Sequence, residues 1–115
     1  MTREIKNARI ESTMLGYEDH GILTCFLYLD YGGGGHQGFG GYAFDDYREE
    51  VRERVPVAFG AQFISSILKT VGATSWEKLP GQHLRVDATH DRVYRIGHLL
   101  REEWFDPAQL GKGRP

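Results

Sequence analysis

One cysteine among 115 residues excludes an intramolecular disulfide. That residue, Cys25, lies inside an apolar run, where a buried core thiol is the expected role. No apolar run approaches the length of a membrane span. No segment near residue 1 has the basic–apolar–small order of a signal peptide. Together these absences predict a cytoplasmic protein. Basic residues are not in excess: 14 Lys and Arg stand against 16 Asp and Glu, for a net charge of −2. That balance argues against a general nucleic-acid binder and leaves a local basic patch open. No Gly-Lys-Ser/Thr is present, which excludes a P-loop. No serine sits in a Gly-x-Ser-x-Gly elbow. The five histidines, at 20, 36, 83, 90 and 98, have neither helical i, i+4 pairing nor the close Cys/His spacing of a zinc site. No cofactor or metal is expected, and catalysis is the minority reading. There is no internal repeat, and the length suits one domain, residues 1–110, with 111–115 as a disordered tail.

Glycine, by contrast, is concentrated. Seven of the ten residues 32–41 are glycine, out of fifteen in the chain. Glycine loses the most backbone entropy on ordering and offers the core no side chain. Such a tract suits a loose hairpin loop, or a place where backbone lies against a ligand. It matches G-x-G-x-x-G at Gly33, Gly35 and Gly38, and a looser form at Gly38, Gly40 and Ala43. A dinucleotide motif needs a helix directly afterwards, and here a strand is expected.

Residues 4–15 alternate as a half-buried strand. Residues 15–21 read as a turn. Within residues 22–30, Leu23, Cys25, Leu27 and Leu29 share one face, and Thr24, Phe26, Tyr28 and Asp30 share the other. Residues 37–44 read as a third strand weakened by Gly38, Gly40 and Gly41. Paired as a hairpin, it would bring Tyr42 and Phe44 beside Phe26 and Tyr28. The charged run 45–54 reads as solvated loop or surface helix turns. Pro56 suits a helix first turn. Phe59, Phe63, Ile67 and Val71, with Ile64 and Leu68 adjacent, predict an amphipathic helix over 57–71, closed by Gly72. Thr74-Ser75-Trp76-Glu77 has capping-box spacing. Strands are expected at 83–89 and 92–98, then an amphipathic helical tail from Leu99 to Leu110 carrying Trp104 and Phe105. The fold class is α+β: a five-stranded, mostly antiparallel sheet or open barrel in the order βββ-α-ββ, with one main helix. The aliphatic face of residues 23–29 should meet Phe63, Ile64, Ile67 and Leu68.

The candidate site combines rings with guanidinium groups. Phe26, Tyr28, Phe39 and Tyr42 supply stacking surfaces. Gly38, Gly40 and Gly41 let a ligand lie on the backbone. Arg85, Arg92 and Arg95 suit phosphate, because a planar guanidinium donates parallel hydrogen bonds. The plainer alternative is an ordinary exposed strand face. On this reading Gly40→Val abolishes binding and leaves folding intact. Homo-oligomerisation is expected from Trp104-Phe105 and from the number of aromatic residues.

Five stretches carry a resemblance. They are Ile5-Lys6-Asn7-Ala8-Arg9-Ile10-Glu11-Ser12-Thr13 with Asp19-His20-Gly21-Ile22-Leu23-Thr24; Tyr28-Leu29-Asp30-Tyr31-Gly32-Gly33 with Gln37-Gly38-Phe39-Gly40-Gly41-Tyr42; and Trp76-Glu77-Lys78-Leu79-Pro80-Gly81-Gln82-His83-Leu84-Arg85-Val86. They resemble a family of small β-rich proteins encoded in tailed bacteriophages and prophages, over most of the chain up to Pro107. The family transfers no catalytic residue. What the resemblance implies is an accessory role in the host-cell cytoplasm. Small non-enzymatic phage proteins commonly counter host defence. Some bind CRISPR effectors; others, such as the Thoeris anti-defence sponges, sequester cyclic nucleotide signals. The expected partner is therefore a cyclic nucleotide signal or a host defence protein. An OB-fold-like module for single-stranded nucleic acid is the alternative, and a small enzyme using the histidine–arginine set is the third.

Overall fold

The two-faced strand around residues 23–29 shows why the chain folds as it does. In the computed structural model, which describes residues 2–111, β1 (Glu4–Tyr17) is followed by β2 (Leu23–Gly32) and β3 (Gly35–Gly40). Cys25, Leu27 and Leu29 on β2 are fully buried, whereas Tyr28 on the opposite face is exposed. The aliphatic face therefore makes core and the aromatic face looks outward. β4 (Asp45–Arg48) and β5 (Glu53–Pro56) precede α1 (Ala58–Val71). β6 (His83–Ala88), β7 (Val93–Gly97), β8 (Trp104–Phe105) and α2 (Pro107–Gly111) complete the order.

Six strands form one antiparallel sheet in the order β3-β2-β1-β6-β7-β8, and β4 pairs with β5 in a separate small sheet. The fold is α+β as expected, but with an open six-stranded sheet and no barrel. No backbone ladder joins β3 to β7 among the described residues. A side chain spans the gap: Gln37 Nε2 donates to the carbonyls of Thr89 and His90, each at 3.0 Å.

α1 lies on the core face of the sheet. Phe63 is its hub, with ring centroids of Phe105, Tyr42, Phe44, Phe39 and Phe59 all 5.0 to 5.8 Å away. Ile67 is fully buried in the same cluster as Cys25, Leu27 and Leu29, with Leu23, Ile64 and Leu68 packed at its margin. The helix and strand residues expected to meet thus contribute to one hydrophobic core. Deleting a buried aliphatic side chain such as Ile67 costs about 2–5 kcal/mol. The helix ends at Gly72, whose φ of 88° is left-handed and whose N–H reaches the Leu68 carbonyl at 2.8 Å.

Several local expectations are corrected. The third strand stops at Gly40, so Tyr42 and Phe44 leave the sheet and turn to α1 instead of joining Phe26 and Tyr28. The charged run 45–54 is the β4–β5 hairpin, not a loop or helix. Buried Asp45 anchors it by accepting from Leu23 N–H at 3.1 Å and Arg54 Nε at 2.9 Å. Pro56 ends β5 and lies outside the helix. Ser75 makes no side-chain cap, and a short 3-10 turn (Trp76–Lys78) follows it. The supposed helical tail begins as β8, a sixth strand of the main sheet, and is helical only in α2. Gly111 closes α2, and the rest of the expected disordered tail, 112–115, lies outside the described residues. No helix among the described residues is long and apolar enough to cross a membrane.

Candidate functional site

The glycine tract is ordered in two parts. Gly32, Gly33 and Gly34 have φ of 82°, 59° and 90° and make the β2–β3 turn, where a side chain would be strained. Asp30 fastens it by accepting from the Gly32 N–H at 2.8 Å. That bond holds the Asp30 carboxyl below its usual range, with His36 and Arg9 adding to the effect.

The second part, Gly38, Gly40 and Gly41, flanks the aromatic face of β2. Phe26 pairs with Gly40 and Tyr28 with Gly38. With no side chains opposite, the two rings stack on each other, centroids 5.8 Å apart and planes within 13°. Gly41 N–H donates to the Cys25 carbonyl at 2.8 Å, which sets the phase of the ladder. By antiparallel alternation, the N–H and C=O of Gly38 and Gly40 then point away from β2, toward the free edge of the strand. A cleft of about 320 Å³ lies along that edge, lined by Gly38, Gly40, Gly41, Tyr42, Asp91, Arg92 and Val93. Arg92 crosses its far side. Its Nη2 is 3.4 Å from the Tyr42 hydroxyl, and its guanidinium lies over the Tyr94 ring at 4.8 Å. Arg92 offers N–H donors to an anion in this cleft, across from the outward backbone groups of Gly38 and Gly40.

The remaining arginines do other work. Trp104 lies on Gly97, so closely that a Cβ there would come within 2.7 Å of the indole. Arg85 and Arg95 cover the indole from 4.8 and 4.3 Å. Arg85 donates to the carbonyls of His98 and Arg101 at 2.8 and 2.7 Å and pairs with Glu102 at 2.8 Å. The Arg85 contact is the main reason the Glu102 carboxyl lies below its usual range, with the Trp104 indole N–H adding to it. Arg95 pairs with Asp87 at 2.7 Å, and Arg3 holds the same carboxylate through two 2.9 Å bonds. Those contacts, Arg3 first, depress the Asp87 carboxyl. A larger cleft of about 630 Å³ opens here between α1 and α2, and the guanidinium that lines it is Arg95, paired with Asp87.

Of the ten residues singled out from the sequence, Gly38, Gly40, Gly41, Tyr42 and Arg92 line the cleft, and Phe26 and Tyr28 pair with Gly40 and Gly38 on the neighbouring strand without lining it. Phe39 does not: it is buried against Phe63 and Phe105. Arg85 and Arg95 belong to the opposite flank. Asp91, Val93 and Tyr94 were missed, and their adjacency to Arg92 at the end of a predicted turn was the available signal. Burial pushes the Cys25 thiol up to about 12, which makes it a poor nucleophile. Glu18 closes the β1–β2 turn: it contacts His20 Nδ1 at 3.0 Å and accepts from Ile22 N–H at 3.1 Å. Among the described residues no cluster of three metal-ligating side chains forms. Comparison with protein-family models, curated proteins and solved structures gives no match to this chain.

Proposed function

We propose that the chain is a non-enzymatic binding protein that holds a nucleotide ligand at the β2–β3 corner, as a phage accessory protein countering host antiviral defence by sequestering a cyclic nucleotide signal. The observation that carries the reading is a strip of β3 without side chains, Gly38 and Gly40, which pairs with the stacked ring residues Tyr28 and Phe26 on one side and faces Arg92 across the cleft on the other. Rings accept any base face. Free backbone groups of Gly38 and Gly40 accept or donate to sugar or base edges. Arg92 has donors to spare for phosphate. The absence of an activated nucleophile in this corner favours binding over turnover.

Calorimetric titration with cyclic dinucleotides and a cyclic trinucleotide tests it. Binding should be lost in Tyr28→Ala and Arg92→Ala, kept in Arg85→Ala, and should return the nucleotide chemically unchanged. Wild-type blocking of host defence by both Tyr28→Ala and Arg92→Ala would move the active surface elsewhere, to a protein-binding face.

A second reading, a module for single-stranded nucleic acid, is favoured by one observation. The order β3-β2-β1-β6-β7, with the helix between β3 and β6, is the strand order of OB-folds, which bind on the outer face of their second and third strands. Phe26 and Tyr28 occupy that face. Salt-dependent binding of oligothymidylate without affinity for cyclic nucleotides would select this reading.

A further inference from the structure

β1 outruns its neighbour on one side. β6 pairs with it only over Glu4–Arg9. Ile10 is the last residue held on that side, donating to the Gln82 carbonyl at 2.8 Å and accepting from Gly81 N–H at 2.7 Å. Beyond it, Ser12 to Tyr17 pair with β2 alone among the described residues. The Glu18 N–H, bonded to the Ile22 carbonyl at 3.0 Å, sets the phase of this ladder. Ser12, Met14 and Gly16 turn their backbone groups to β2, so Thr13, Leu15 and Tyr17 turn theirs outward.

Such an edge is normally protected by charge, proline or a bulge. The segment Ser12-Thr13-Met14-Leu15-Gly16-Tyr17 has no charged residue and no proline, and the irregularity in β1 falls before it, between Ile10 and Ser12. The hairpin β4–β5 shows the contrast: its strands carry Asp46, Arg48, Glu53 and Pro56. Leu15 and Tyr17 are also 45% and 67% exposed, on the face that β2 fills with Cys25 and Leu23.

We infer that this edge pairs antiparallel with the same edge of a second copy, about a twofold axis at Leu15. The sheets of two copies then join into one. Leu15 meets Leu15 of the second copy, Thr13 meets Tyr17, and each pair exchanges both backbone hydrogen bonds. The occupant is a second copy because the segment is its own complement: a twofold interface requires one patch to fit itself, and this patch opposes no like charges. Trp104 and Phe105 offer little to such an interface, since Phe105 is in the core and Arg85 and Arg95 cover Trp104.

Light scattering after size exclusion tests the interface without any ligand. The wild type should have the mass of a dimer at micromolar concentration. Leu15→Glu and Leu15→Lys should each be monomeric, because each sets like charges at the axis. Mixing the two should restore a dimer. Val51→Glu, at an exposed apolar residue of the β4–β5 hairpin, should remain dimeric. Hydrogen exchange of the unmodified chain gives an independent readout. The amides of Thr13, Leu15 and Tyr17 should be protected at high concentration and lose protection on dilution, while those of Met14 and Gly16 stay protected throughout. A monomeric wild type, a dimer that survives both charged substitutions, or exchange at Thr13, Leu15 and Tyr17 that ignores concentration would each overturn the inference.

Discussion

The two flanks of the sheet use their polar chemistry in opposite ways. At β6–β8, every guanidinium has a partner within the chain: Arg85 holds two carbonyls and Glu102, Arg95 holds Asp87, and both cover Trp104. At β2–β3, the rings touch each other, the strand edge is bare, and Arg92 makes one long hydrogen bond to Tyr42. Both flanks look alike in composition terms, as aromatics near arginines. The difference is charge pairing. Arg85 and Arg95 each face a carboxylate of the chain, whereas Arg92 pairs with none among the described residues, and a guanidinium whose charge is already paired gains less from an external anion.

The largest effect is expected from breaking the glycine flank at its tightest point. A Cβ at Gly40 would lie 2.2 Å from the Cys25 carbonyl oxygen, at a φ of 128°. Gly40→Val should therefore cost about 3–5 kcal/mol of folding stability by urea titration. This corrects the expectation that Gly40→Val spares folding. Gly38 is the position that separates binding from folding. A Cβ there meets nothing nearer than 4.0 Å, so Gly38→Val should change stability by less than about 1 kcal/mol. It should still weaken nucleotide binding about tenfold, which is about 1.4 kcal/mol, by covering the strip beside Tyr28.

On the arginine flank, Trp104→Ala should cost about 2–4 kcal/mol, because it removes the ring shared by Arg85 and Arg95 and leaves space over Gly97. Binding at the other flank should be unchanged. A smaller effect separates the flanks by pH. Asp87 titrates below its ordinary value of 3.8 because Arg3 and Arg95 favour its charged form. Its contribution to stability is complete above that ordinary value and is lost as pH falls through the lowered one. Thermal unfolding should show wild-type stability falling in this acid range. Asp87→Asn should be less stable at neutral pH and should lose that part of the acid dependence.

Much of the core was legible because periodicity reports burial. Phe59, Phe63, Ile67 and Val71 marked α1, and the alternation of Leu23 to Leu29 marked β2. The β4–β5 hairpin was not legible, because its strands are largely solvated and charge does not alternate with burial there. β8 is two residues long, too short for any period to register. Within the site, Phe39 was misplaced because the glycines around it carry no hydropathy to show which face is inward. That Arg85 and Arg95 lie apart from the β2–β3 cleft was not legible for another reason: their partners, Glu102 and the carbonyls of His98 and Arg101 for one, Asp87 for the other, are fixed by the β6–β7–β8 register and leave no local trace in the sequence.

The central claim, that a nucleotide ligand occupies the β2–β3 corner and not the arginine flank, is tested most directly by mapping amide chemical-shift changes in the labelled protein. The probes are a cyclic dinucleotide, a cyclic trinucleotide and an oligothymidylate of about 12 nucleotides. The account predicts that at least one probe perturbs Phe26 to Tyr28, Gly38 to Tyr42 and Asp91 to Val93 and leaves Arg85, Arg95 and Trp104 unmoved. Perturbations centred on Arg85, Arg95 and Trp104, or no response to any probe, would contradict it.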